Sequence, residues 1–146
     1  MLLSSPAIPP GEPIPKEYTC DGANLSPPLV WSGVPSGTQS LVLIVEDPDA
    51  PGGTFRHWAA YDIAPGAGRL AAGRHPGMHE AFNDFGRSGY GGPCPPPGSP
   101  HHYRFRLLAL NRADLDLGDA PGAAEVLRAA AAYAIGRAEF VATYRR

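Results

Sequence analysis

Leu41-Val42-Leu43-Ile44-Val45 is apolar at every position and rich in β-branched side chains. Bounded by Ser36-Gly37 and Asp47-Pro48, it predicts a short central strand covered on both faces. His57-Trp58-Ala59-Ala60-Tyr61-Asp62-Ile63 predicts a second strand, with His57, Ala59, Tyr61 and Ile63 on one face and Asp62 on the other. From Tyr103 to Leu110 the chain first alternates and then turns fully apolar. That pattern puts Tyr103, Phe105 and Leu107 toward a core and Arg104 and Arg106 toward solvent, with His101 on the tyrosine's side. Shorter strand candidates are Tyr18-Thr19-Cys20, Leu29-Val30-Trp31 and Glu139 to Tyr144.

One stretch keeps helical spacing. Val126, Leu127, Ala130, Ala134 and Ile135 form a single stripe in an alanine-rich run from about Ala123 to Gly136. Asp119 and Pro121 supply a start signal and Gly136 a stop. A lone helix after a series of strands predicts a mainly β fold with a docked helix. No repeat or linker interrupts residues 1–146, which predicts one domain.

Composition narrows the classes. A chain of 146 residues buries about two-thirds of its unfolded surface and needs no staples to fold. Its 12 basic and 14 acidic side chains leave a net charge of −2, which excludes a nucleic-acid field. The start, Met1 to Pro6, lacks the basic and apolar regions of a signal peptide. The longest apolar run is far below the ~20 residues of a membrane span. A cytoplasmic protein without stable membrane insertion is expected. The two cysteines, Cys20 and Cys94, fit no metal motif. In a reducing compartment they read as small part-buried thiols, with a single bridge between Gly/Pro-rich loops left open. Glycine and proline, 18 of each, fall between the apolar runs and read as punctuation of ordered loops.

Four loops concentrate polar groups. Cys20 to Trp31 carries turn chemistry, with Asn24 suited to left-handed geometry while bonding its own backbone. Asp47 and Asp49, two apart beside Pro48 and Pro51, project to one side if extended. Two close carboxylates need a cation, a proton or donors, and His57 is a candidate source of charge, an ordinary imidazole titrating near ~6.5. A proline-locked turn with solvated acids stays open for this stretch. Asn83 to Gly98 has the glycine and proline density of a concavity lined by main-chain N–H groups, or of a rigid loop. His101 and Tyr103 place two donors at the mouth of a core-facing strand.

These loops, in order, resemble the phosphatidylethanolamine-binding protein family, in particular its bacterial and archaeal Raf kinase inhibitor-like branch. The motifs are C-D-G-A-N-L-S-P-P-L-V-W, D-P-D-A-P with the H-W after it, N-D-F-G-R-S-G-Y-G-G-P-C-P-P, H-H-Y and A-E-F-V-A-T-Y. The resemblance implies an antiparallel β-sandwich with a flanking C-terminal helix. It also implies an end pocket for phosphate, phosphorylethanolamine or another small anion. Its ligand-binding residues would be Asp47, His57, Cys94, Pro95, Pro96, His101 and Tyr103, with Asp49 and Pro51 at the rim. The chain departs from the family at Tyr133-Ala134-Ile135 and at His102, and the loop Gly66 to Glu80 matches no motif.

The expected function is a non-enzymatic binder of a phosphate-bearing anion, with a regulatory role such as inhibition of a kinase or protease. Asp47 would then orient a cationic histidine. No metal, cofactor or nucleic acid is expected. The alternatives are a small hydrolase using Asp47 with His57 or His101, and an interaction module without ligand. Ser88 lies outside a G-x-S-x-G setting, which weighs against catalysis.

Overall fold

The computed structural model describes residues 1–146. Its strands are β1 (Leu2–Ser4), β2 (Leu29–Ser32), β3 (Ser40–Asp47), β4 (Phe55–Ile63), β5 (Arg69–Leu70), β6 (His79–Glu80), β7 (His101–Leu110) and β8 (Ala134–Tyr144), with one helix, α1 (Ala123–Ala131), before the last strand. They form two antiparallel sheets, a three-stranded one in the order β1-β2-β5 and a five-stranded one in the order β6-β4-β3-β7-β8.

β3 is buried at all eight positions because the large sheet is covered on both sides. Leu41, Leu43 and Val45 join Leu3, Leu29, Trp31 and Leu70 between the sheets. Val42 and Ile44 join Val126 and Ala130 of α1 on the other face. The uniform apolar run is the signature of that double coverage.

Alternation carries one step further. Asp47 follows Leu43 and Val45 on the inter-sheet side. Glu46 follows Val42 and Ile44, where Arg106 meets it at 2.8 Å and Arg104 at 3.5 Å. On β7, Tyr103, Phe105 and Leu107 lie between the sheets as expected.

β4 departs from strict alternation. Its pairing with β3 shifts by one residue in two places, near Arg56–Trp58 and near Ala60–Ile63. At the second, Asp62 takes a φ of 56°, and Ile63 turns to the inter-sheet core while Ala59 and Tyr61 face α1. At the first, His57 turns to the same side as Trp58 and lies against Tyr103. The expected His57–Ala59–Tyr61–Ile63 face is therefore broken at both ends by bulges, which add an extra residue to one strand.

Three other expectations change. Lys16–Tyr18 forms a 3-10 turn instead of a strand through Cys20. The helix stops near Ala132, and Ala134 and Gly136 already pair with Leu110 and Ala109. Sheet pairing overrides the alanine propensity there, and Pro35 packs where a side chain at residue 136 would sit. Asp119 does not cap α1. Instead the Ala123 N–H donates to the Phe82 carbonyl at 2.9 Å, satisfying one free helix-terminal donor.

Candidate functional site

Beyond the end of the small sheet, the large sheet's inward positions continue as Asp47, His57, His101 and Tyr103. They line a cavity of about 190 Å³ with Ala50, Pro51, Phe55, Phe85, Cys94, Pro95 and Pro96. That is below the ~300–1,000 Å³ of drug-sized ligand sites, so the space suits a small group. The structure brings every residue expected at the site to this wall except Asp49. Phe55 and Phe85, whose rings meet edge to face at 4.7 Å, were not anticipated. Phe55 directly precedes the Arg56-His57 bulge, and nothing in its sequence setting marks it.

Asp47 is fully engaged. Its Oδ1 accepts the Asp49 N–H at 2.8 Å, and its Oδ2 accepts from His101 Nδ1 at 2.6 Å. The histidine held by Asp47 is therefore His101, which leaves its Nε2 free. His57 is held differently, with Nδ1 donating to the Gly91 carbonyl at 2.7 Å. Burial depresses its pKa below the ordinary histidine range, against smaller opposing effects from Gly91 and the Asp47 charge. It is a neutral ring with Nε2 as an acceptor. Burial, reinforced by the Asp47 charge, pushes the Tyr103 hydroxyl far above the ordinary tyrosine range. Tyr103 thus stays a protonated donor.

Asp49 faces away from the cavity. Its Oδ2 accepts from the His102 main-chain N–H at 2.8 Å and from His102 Nδ1 at 2.7 Å. It pins the start of β7 to the turn after β3. The extended geometry that would aim both carboxylates one way is replaced by this turn.

The glycine-rich loop does not offer a bed of free amides. The N–H groups of Gly86, Gly89 and Gly91 bond to carbonyls of Asn83, Ala81 and His57. Gly92 N–H donates to Asn24 Oδ1 at 2.9 Å. Asn24 has the left-handed φ of 59°, but its side chain bonds Gly92 instead of its own backbone. Of Pro93 to Pro97, only Cys94 carries an N–H, and that group makes no bond within the chain. Tyr90 O–H donates to the Tyr18 carbonyl at 2.7 Å, and Cys20 is bonded to Cys94. The free-thiol expectation is thereby corrected: the first and third loops are stapled together, which brings the cysteines within reach.

A second polar cluster lies outside the cavity. Ser26 Oγ meets His75 Nε2 at 2.6 Å, and His75 Nδ1 meets Glu80 Oε1 at 3.0 Å. Trp58 Nε1–H donates to Glu80 Oε2 at 2.8 Å. The histidine hydrogen bond, with help from Trp58 and opposed by burial, holds Glu80 below the usual carboxylate range. His75 comes from the loop that matched no motif.

A family model described as "Phosphatidylethanolamine-binding protein" matches residues 4–145. The chain belongs to the phosphatidylethanolamine-binding protein family. Among its relatives, a Methanothermobacter thermautotrophicus protein named only UPF0098 is 46% identical over 139 residues, covering 91% of each chain. The Mycobacterium tuberculosis "Putative lipoprotein LppC" is 45% identical over 146 residues, covering 99% of this chain and 72% of its own. The crystal structure of Escherichia coli YbcL, described as a new member of the mammalian family, superposes with a TM-score of 0.93 at 34% identity, covering 99% of this chain and 98% of that one. No helix of this chain is long and apolar enough to cross a membrane.

Proposed function

We propose that this chain is a non-enzymatic binding protein whose cavity takes a small protonated anion. Hydrogen phosphate, or the phosphate of a phosphorylethanolamine-type molecule, has the right chemistry. The observation that carries this reading is the tautomer fixed at His57. With Nδ1–H committed to Gly91, Nε2 accepts the P–O–H proton. Tyr103 O–H and the Cys94 N–H donate to the remaining oxygens, and His101 lines the same space. Asp47 does not oppose the anion directly, because His101 lies on one of its oxygens. The cavity volume supports a head group over an acyl chain.

Calorimetric titration of inorganic phosphate tests this. Affinity should fall at least about tenfold in His57→Ala and in Tyr103→Phe, each losing one hydrogen bond to a charged group. No heat with wild type at millimolar phosphate would reject the reading. A phosphorylated side chain presents the same oxygens, so docking on a kinase or blocking a protease is the regulatory role this chemistry supports.

A hydrolytic reading has one observation in its favour, the Ser26–His75–Glu80 chain of hydrogen bonds. Ser26 is only 3% exposed and lines none of the cavities, which supports a structural role. A fluorophosphonate that labels wild type but not Ser26→Ala would reverse that judgement. The Cys20–Cys94 bond supports an oxidising compartment over the cytoplasmic setting expected from sequence.

A further inference from the structure

Cys94, Pro95 and Pro96 form one wall of the cavity, where Pro95 is buried and Cys94 and Pro96 are exposed. Residues 94–97 make no main-chain hydrogen bond within the chain. The flanking anchors are Cys20 N–H to the Pro93 carbonyl at 3.1 Å and Gly98 N–H to the Arg146 carbonyl at 3.3 Å. Between those anchors the one covalent tether is the Cys20–Cys94 bond. Cys94 is exposed and Cys20 half-buried. Arg146 Nη1 lies 3.7 Å from Cys94 Sγ, while Cys20 adjoins Asp21, whose carboxylate takes the other guanidinium nitrogen at 3.2 Å.

We propose that Cys20–Cys94 is a thiol–disulfide exchange site for a low-molecular-mass thiol, and that opening it releases the cavity wall. The incoming thiol gives its proton to solvent, and its thiolate attacks Cys20 Sγ. A sulfur–sulfur bond forms to Cys20, the bond to Cys94 breaks, and the electron pair leaves on Cys94. A thiolate at Cys94 is stabilised by the Arg146 guanidinium beside its sulfur, which makes Cys94 the better leaving group. A second thiol molecule then attacks the mixed disulfide, leaving Cys20 reduced and the two small thiols oxidised to their own disulfide. Without the tether the segment between Pro93 and Gly98 keeps its two ends and the packing of the buried Pro95, and the wall at Cys94 and Pro96 is no longer held in its pre-formed place. That functional consequence rests on the anion reading above; the exchange chemistry does not.

The full oxidised chain is incubated with reduced glutathione, quenched with an alkylating reagent and mapped by peptide mass spectrometry. Glutathione on Cys20 with Cys94 alkylated is expected. Glutathione on Cys94, or a bridge that survives a large excess of thiol, overturns the exchange site. In parallel, inorganic phosphate is titrated into the oxidised chain, the fully reduced chain and Cys20→Ser/Cys94→Ser. Affinity should drop by about tenfold or more in the last two, and equal affinities overturn the coupling. Arg146→Gln keeps the bond and lies outside the cavity wall. It should leave phosphate affinity unchanged and slow exchange several-fold; an unchanged rate overturns the role of the guanidinium. If the oxidised chain binds no phosphate, the anion reading fails, and the peptide map alone decides the exchange site.

Discussion

His101 donates from Nδ1 to Asp47 at 2.6 Å, joining the ends of two neighbouring strands across the cavity wall. On the anion reading, the carboxylate acts on the cavity through the imidazole it orients. Asp47→Asn keeps the shape but removes the negative charge that receives the His101 Nδ1–H. Phosphate affinity should fall by about tenfold, the worth of a lost charge-assisted bond. Calorimetry at pH 6 checks it, and an affinity gain would show that Asp47 simply repels the anion.

Burial holds His57 below its ordinary range. The unfolded chain takes up a proton below about 6.5 while the folded chain refuses it until the lower folded value is reached. Stability should therefore fall as pH drops below about 6.5. Asp49, held down chiefly by His102, and Glu80, held down chiefly by His75, add losses only below the carboxylate range near ~4. Urea unfolding from pH 7.5 to 5 measures the first window, and His57→Gln should flatten it.

Gly92 is where two loops touch. A Cβ there would sit 2.4 Å from Asn24 Oδ1 and 2.5 Å from the Tyr18 carbonyl oxygen. Gly92→Ala must separate backbone from backbone and should cost about 1–3 kcal/mol. Thermal unfolding reads the loss, and phosphate affinity should weaken with it because the same loop holds His57 through Gly91.

Glu46 is buried and held by Arg106 at 2.8 Å, with Arg104 farther off and shared with Glu139. Arg106→Met leaves that carboxylate undercompensated and should cost about 3 kcal/mol. The double change with Glu46→Gln should recover much of it. A denaturant double-mutant cycle measures the coupling.

Much of the fold was readable because it follows from periodicity. The β3 run showed double coverage, and the Tyr103-Phe105-Leu107 alternation named its buried face. What local pattern misses is set by partners distant in sequence. Gly136 belongs to a strand because Ala109 is across from it, and the bulges that turn His57 and Ile63 inward exist only in pairing with β3. The site was legible as a set of motifs, but not its wiring. Which histidine Asp47 holds depends on a β3–β7 register that no spacing prints. The Ser26–His75–Glu80 cluster joins residues 49 apart with no motif at His75.

The two sheets differ in reach: β1, β2 and β5 have three, four and two residues, whereas β3, β4 and β7 have eight, nine and ten. The large sheet overhangs the small one, and no residue of the small sheet lines the cavity. The cavity thus continues the layering of the hydrophobic core, floored by the same strand faces that pack Val45 and Phe105 farther in. On the anion reading, binding and folding free energy would be coupled through one continuous stack of side chains.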